Sequence, residues 1–421
     1  MGLQLTDIPN EVLDHVISFC EDSRNGRSWE NSRFSSPYTK LLFRLLLVCR
    51  KWYQLVLPRL YRIIRSSGPG IPNANTRLGL GLGPSAEGRY ISTLIAILKG
   101  GNGRLARLVK EVDVVVSDGV LNRLESSLYM DMLGVCRSGL QRIVLLNLDG
   151  DQASEFANVL RSMPPTLLSL HASVTTEELY DVRGAVESVD ALLSIMGRWV
   201  NLESIDCHCG SPFDDSEEEY HQYGAELLQV NGSSDNGTRY YSPLKLNALH
   251  TVRIGPADMN FEQLRLLAEM APNIAILDVF LDPDVQSVEV VSCLRAWSDS
   301  MTSLTLTGLV GSIDEVVCNF SKLEEIGIPA TAISPQSLSS LQHLKTLRYM
   351  KVTKSVVNTL IEELSKPLSF VALSNIILDE AISLNAEITF DLIDACTYRK
   401  IRLEIHKKGG TGTYLLEHTS Y

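Results

Sequence analysis

The chain has 421 residues, 45% of them hydrophobic, which is enough for two or three domains with sizeable cores. Asp and Glu (50) outnumber Lys and Arg (38), and the net charge of −12 argues against nucleic acid as the principal ligand, because phosphate binding needs a basic face. The sequence has no apolar run of about 18 residues and no secretory signal at its start, so we expect no membrane span and a cytoplasmic or nuclear location.

Two apolar helical patterns open the chain. Pro9 begins the first, in which Leu13 lies at helical spacing, and the second runs through 41–48 towards Trp52. We expect a turn at Pro58, and we interpret the polar stretch 21–40 as a loop insertion. Short helices of this kind expose more apolar surface than sixty residues can bury among themselves, so a partner protein is one candidate to cover it.

These residues resemble the F-box, the helical motif by which substrate-recognition subunits of SCF ubiquitin ligases dock onto a Skp-type adaptor. The match covers most of positions 5–61, and the stretch 21–40 departs from it. The resemblance implies a docking domain over residues 1–65 that binds a Skp-type adaptor and, through it, a cullin. The adaptor-binding residues it implies are Ile8, Pro9, Leu13, Val48, Cys49, Trp52, Pro58 and Leu60. Cys49 and Trp52 could instead hold the helices together, and an ordinary helical hairpin is the alternative to an F-box.

The segment 66–89 is rich in Gly, Pro and Asn, which predicts a loop between the helical domain and the remainder of the chain. Just before it, residues 60–64 change from helical spacing to strand-like alternation. We expect 60–64 to pair or pack with the first strand of the next domain, around 109–116, because that strand would otherwise leave an open edge.

Residues 90–421 repeat the pattern apolar-x-x-apolar-x-apolar, with helical patterns between several copies. The copies begin at Val109, Leu140, Leu167, Leu202, Leu249, Ile274, Met301, Leu323, Leu344, Leu368 and Tyr398. The helical patterns cover 153–163, 186–199, 261–271, 285–297 and 356–364. A short strand plus a helix in each repeat is typical of a leucine-rich-repeat solenoid, an α/β fold with parallel strands on its concave face and helices on its convex face. The pattern is degenerate, and a doubly wound α/β domain is the rival, although no Gly-rich first turn supports it.

Two further segments of the predicted solenoid carry polar residues of note. The acidic stretch 211–239 predicts a solvated loop, or alternatively an arm that contacts a basic segment of a partner. Cys207, His208 and Cys209 lie in a strand pattern whose alternation points both thiols inward, so we interpret them as core residues rather than metal ligands.

No catalytic or cofactor-binding motif stands out, so the sequence predicts a substrate-recognition subunit of an SCF-type ubiquitin ligase without catalysis of its own. A solenoid scaffold without a ligase role is the alternative, and an α/β enzyme is a third possibility. The non-apolar strand positions should face the protein substrate, whose identity stays open. They include His171, Asp206, His208, Arg253, Asp278, Phe280, Arg348, Arg402 and Glu404.

Overall fold

The computed structural model describes residues 9, 11–13, 42, 44–66, 86–115, 123–148, 153–174, 184–210, 244–379, 386–406 and 414–416. The chain divides into two compact units, Met1–Ala185 and Val186–Tyr421. The predicted insertions 21–40 and 211–239 lie outside the described residues, as does Ile8. Within the described part, no helix is both long and apolar enough to cross a membrane.

The first unit alternates helices with a parallel sheet. Its described helices are α1 (Arg50–Arg62), α2 (Ala86–Lys99), α3 (Arg123–Cys136) and α4 (Ala153–Arg161). Its strands pair in chain order and in parallel: β1 (Ile63–Ser66), β2 (Glu111–Val115), β3 (Arg142–Leu148) and β4 (Ser169–Val174). Two short 3-10 helices, Gly101–Gly103 and Ala106–Leu108, precede β2. Because α2 begins at Ala86, the last four residues of the predicted loop 66–89 are helical.

The second unit continues the same alternation with more strands. Its described helices are α5 (Val189–Met196), α6 (Phe261–Met270), α7 (Ser287–Leu294), α8 (Asp314–Val317), α9 (Pro335–Ser339), α10 (Lys354–Ser365) and α11 (Ala386–Arg399). Its parallel strands are β5 (Ser204–Cys209), β6 (Thr251–Met259), β7 (Ile276–Leu281), β8 (Ser303–Thr307), β9 (Glu325–Pro329), β10 (Thr346–Met350), β11 (Asn375–Asp379) and β12 (Arg402–Ile405). A last strand, β13 (Tyr414–Leu416), pairs with β12 in the antiparallel direction. A 3-10 helix, Arg295–Trp297, extends α7.

Alternating burial explains why the strands form one face of the core. In β5 the side chains of Ile205, Cys207 and Cys209 are fully buried, while the residues between them are partly exposed. The first buried position is in register across the unit, from Ile205 through Val252, Leu277, Leu304, Ile326, Leu347 and Ile376 to Leu403. Each such side chain contributes about 1.5 to 3 kcal/mol by leaving water, so the row fixes the register of the sheet.

The helices bury their own apolar faces on that side of the sheet, and consecutive helices such as α9, α10 and α11 contact one another. The opposite side of the strands carries the partly exposed residues, and we call it the open face. The predicted α/β class with a parallel sheet is therefore confirmed, with twelve parallel strands among the described residues. Within each unit the strands follow chain order, which is compatible with a solenoid and contradicts the doubly wound rival, whose strand order reverses.

The predicted joint between the helical start and the first repeat is confirmed for residues 63 and 64, whereas residues 60–62 still belong to α1. Strand β1 follows α1 without a break and pairs with β2 in parallel, with Ile63 opposite Glu111 and Ile64 opposite Val112. A further hydrogen bond runs from the Lys110 amide to the Arg62 carbonyl at 2.8 Å. Residues 63–66 are thus part of the sheet of the first unit.

Three local predictions were wrong. The turn expected at Pro58 does not form, because Pro58 lies inside α1 on its exposed side, where water can satisfy the carbonyl that the missing N–H leaves free. The repeat expected from Leu368 is displaced, because β11 begins at Asn375 and Leu368 is 85% exposed. The repeat expected from Tyr398 is shifted by two residues, since Leu403 rather than Ile401 is in register with Ile376.

Candidate protein-binding surfaces

The described residues of the N-terminal region pack around a small core of their own. Leu13, Leu42, Trp52 and Val56 are buried together, and five partly buried residues, Leu45, Leu46, Cys49, Leu55 and Leu60, pack against them. Residues 11–13 and 44–46 are helical, as is α1. We call the described residues 9, 11–13, 42 and 44–62, which carry this core, the N-terminal cluster. Its core brings together residues from three separate stretches of the chain, so the cluster is a packed helical element.

The predicted adaptor-binding residues divide between the core and the surface of this cluster. Leu13 and Trp52 are 2% and 7% exposed, so they hold the helices together and do not face a partner. Cys49 and Leu60 are half-buried against the core. The exposed members of the predicted set are Pro9, Val48 and Pro58.

Four large apolar side chains of the N-terminal cluster are open to solvent. Leu47 is 86% exposed, and Val12, Tyr53 and Val48 are each close to half exposed, at 49%, 47% and 46%. Of these four, only Val48 was predicted from the sequence as a partner-binding residue. The signal for Leu47 was present in the apolar stretch 45–48, since a helix can bury only one face of such a run.

The open face of the second unit collects most of the predicted substrate-binding residues into one register row. Asp206, Arg253, Asp278, Arg348 and Glu404 occupy equivalent positions on five strands. The row is completed by Thr305, Gly327 and Ile377 on the strands between. We call this line of eight residues the face row. Arg402 lies two residues before the row on β12, and His208 and Phe280 lie two residues after it.

Ion pairs hold the charged ends of the face row. At one end Arg253 lies 3.7 Å from Asp206. At the other end Arg348 pairs with Asp379, and His406 Nδ1 lies 2.7 Å from the second oxygen of the same carboxylate.

Arg402 also belongs to this second network, since it contacts Glu404 at 3.0 Å. Asp379 and His406 were not predicted from the sequence, because the strand that carries Asp379 was expected earlier in the chain. The network therefore adds two residues to the predicted charged face.

The middle of the open face is built from small residues covered by their neighbours. A Cβ atom at Gly255 would lie 3.0 Å from Cε2 of Phe280, so the aromatic ring lies against the glycine. A Cβ atom at Gly327 would likewise lie 3.1 Å from Oγ1 of Thr305. The side chains at these positions of the open face are therefore short. The partly exposed Phe280 supplies an aromatic ring beside them.

Two carboxylates beside Phe280 are destabilised in their charged form. Burial raises the pKa of Asp278 above its ordinary value, against the opposing effect of Arg253. Burial and the nearby carboxylate of Asp282 raise the pKa of Asp258. Loss of hydration is the dominant cause in both cases, so a cation brought to this place would stabilise both groups.

The remaining predicted residues lie apart from this region or inside the core. His171 is on β4 of the first unit, opposite Val144 on β3, so it does not join the face row. Cys207 and Cys209 are fully buried, as the alternation predicted, and a hydrogen bond between the thiols together with burial raises the pKa of Cys207. Among the described residues no three His, Cys, Asp or Glu side chains are placed to hold a metal ion.

A scan against protein-family models matched none of them, and a search of curated proteins found no match to this chain. Two surfaces of the described residues are the candidates for function: the exposed apolar residues of the N-terminal cluster and the charged open face of the second unit.

Proposed function

We propose that this protein is the substrate-recognition subunit of an SCF-type ubiquitin ligase. The N-terminal cluster would act as an F-box that docks onto a Skp-type adaptor and so onto a cullin. The strand and helix repeats would form a degenerate leucine-rich-repeat solenoid, and its open face would bind the protein substrate. The chain would supply proximity between substrate lysines and a ubiquitin-loaded enzyme, without catalysis of its own.

The observation that carries this proposal is the exposed apolar surface of the N-terminal cluster. The cluster already buries Leu13 and Trp52 in its own core, yet Leu47 and Tyr53 remain in solvent. Several large exposed apolar side chains on one small packed element favour a protein-binding role. Together with the order of F-box-like residues in the sequence, this exposure favours a helical docking module over a simple cap on the sheet.

The connection of α1 to β1 supports the same role. The helix passes directly into a strand that is hydrogen-bonded to β2, so no flexible linker separates the cluster from the sheet of the first unit. A receptor that must hold a substrate at a fixed distance from a conjugating enzyme benefits from such a joint.

The proposal is tested by measuring how tightly the intact chain binds a purified Skp-type adaptor. In the double variant Leu47→Asp/Val48→Asp we expect affinity to fall about a hundredfold, because two apolar side chains that would leave water on docking become charged. Val310→Asp is the matched control, since Val310 is 60% exposed in the second unit and should leave adaptor affinity unchanged. Circular dichroism establishes that the variants are folded.

Two results would contradict this function. A folded, intact chain that binds no Skp-type adaptor would exclude it. A chain that binds its protein partner but assembles no cullin complex would instead identify a solenoid scaffold without a ligase role.

A further inference from the structure

Strand β7 and the residue that follows it place an aromatic ring between two carboxylates in sequence. Asp278, Phe280 and Asp282 alternate with the buried residues Leu277, Val279 and Leu281, so the three point to the same side. On the neighbouring strand β6, Asp258 is in register with Phe280 and is exposed. We call Asp258, Asp278, Phe280 and Asp282 the β7 site.

Among the described residues, Asp258, Asp278 and Asp282 make no ion pair within 4.0 Å, whereas the nearest arginine on the row, Arg253, pairs with Asp206. Asp282 accepts a hydrogen bond from the Asp284 amide at 2.8 Å, a neutral donor that adds no positive charge. Loss of hydration is the main cause of the raised pKa values of Asp258 and Asp278. The carboxylate of Asp282 adds to the shift at Asp258, and Asp206 adds to it at Asp278 against the opposing effects of Arg253 and Arg348.

The open face as a whole is also negative. Its strands β5 to β12 carry six outward carboxylates, at Asp206, Asp258, Asp278, Glu325, Asp379 and Glu404. They carry three outward arginines, at Arg253, Arg348 and Arg402, which leaves a net charge of −3. A positively charged partner is attracted to such a surface, and an acidic one is repelled.

We propose that the β7 site binds an arginine-bearing, basic segment of the protein partner, with the guanidinium resting on Phe280 and donating hydrogen bonds to the surrounding carboxylates. A guanidinium is planar and weakly hydrated, so it can lie on an aromatic ring and present its N–H groups to carboxylates at the ring's edge. A lysine ammonium could reach one carboxylate but matches the ring and several oxygens less well. This inference rests on the proposed function only for the identity of the partner as a ubiquitination substrate.

The test begins with the intact chain and a displayed library of random dodecapeptides. We expect the enriched peptides to share an arginine, and we expect replacement of that arginine by glutamine in a synthetic copy to weaken binding about tenfold to a hundredfold, the usual effect of losing a charge-assisted hydrogen bond. This change alters the peptide alone, so the fold of the protein cannot account for it.

Protein variants then locate the binding site. Asp278→Asn should weaken the enriched peptide about tenfold, and Phe280→Leu about threefold to tenfold through loss of the cation–π contact. Phe280→Leu keeps every charge, so its effect is independent of long-range attraction. Glu362→Gln removes an exposed carboxylate from α10 on the helical side and serves as the control with unchanged affinity. Thermal unfolding of each variant shows that it is folded.

Several outcomes would overturn the inference: a library that yields no binder, enriched peptides without basic residues, or Asp278→Asn and Phe280→Leu proteins that bind the peptide as tightly as the original chain. Adaptor binding, measured on the same preparations, should be unaffected by both variants. A chain that binds arginine peptides but no adaptor would refute the ligase role and leave the β7 site standing, and the reverse result would do the opposite.

Discussion

Two buried tryptophans of the second unit differ in one hydrogen bond. Trp199 and Trp297 are both fully buried, but only Trp297 donates from Nε1, to the Ala271 carbonyl at 2.7 Å. Within the described residues the Trp199 Nε1 atom has no partner. We expect Trp297→Phe to lower the free energy of unfolding by about 1 to 2 kcal/mol more than Trp199→Phe, because it strands a buried carbonyl at the end of α6. Urea unfolding of the two variants measures the difference, and equal losses would refute this role for the bond.

A single glycine closes the turn after β8. Gly308 has φ +86°, and a Cβ atom there would lie 2.3 Å from the Leu281 carbonyl oxygen, which is backbone and cannot rotate away. Gly308→Ala should therefore reduce the free energy of unfolding by about 2 to 4 kcal/mol. Gly197 is the control in the same unit, since it has φ −56° and the nearest atom to its Cβ would be 3.6 Å away.

Gly197→Ala should change the free energy of unfolding by less than about 1 kcal/mol, in the stabilising direction, because alanine restricts the unfolded chain. Urea unfolding reports both glycine variants. A Gly308→Ala protein as stable as the original would show that the turn can relax around the added methyl group.

At the scale of single elements, the sequence predicted a strand correctly wherever the apolar repeat could be placed in only one register. Nine of the eleven predicted repeats, those from Val109 to Leu344, fall on β2 to β10 in the expected register. The stretch 368–378 fits the pattern twice, starting at Leu368 or at Leu373, and periodicity cannot choose between the two. In the structure the repeat begins at Leu373, because Phe370 takes a left-handed conformation (φ +52°) and β11 starts only at Asn375.

The predicted side of the sheet for Arg402 and Glu404 is unaffected by these errors, for a geometric reason. The repeat from Tyr398 was misplaced by two residues, which is one full period of a strand, so Arg402 and Glu404 still lie on the open face. The partners of those residues could not be predicted, because the ion pairs of Asp379 and His406 join strands that are far apart in sequence. Strand β13 was missed as well, and three residues are too few for a periodic signal.

At the scale of the molecule, two kinds of organisation meet in the first unit. The N-terminal cluster has its own buried core, whereas the strands gain stability only by pairing with the next strand along. Strand β1 joins the two, because it continues α1 and covers the edge of β2. The cluster should therefore keep its fold when the pairing of β1 is weakened.

Two neighbouring isoleucines of β1 make this separation testable. Ile64 is buried opposite Val112, and Ile63 is only half-buried. We expect Ile64→Asn to lower the free energy of unfolding of the first unit by about 3 kcal/mol, from lost apolar burial and an amide placed in the core, and Ile63→Asn by less than about 1 kcal/mol. Hydrogen exchange should show faster exchange of the β2 amides in Ile64→Asn alone.

Adaptor binding, if the proposed function holds, should persist in both variants, because the cluster retains its core. Loss of adaptor binding in Ile64→Asn would mean that the cluster depends on the sheet and that the two form one cooperative unit.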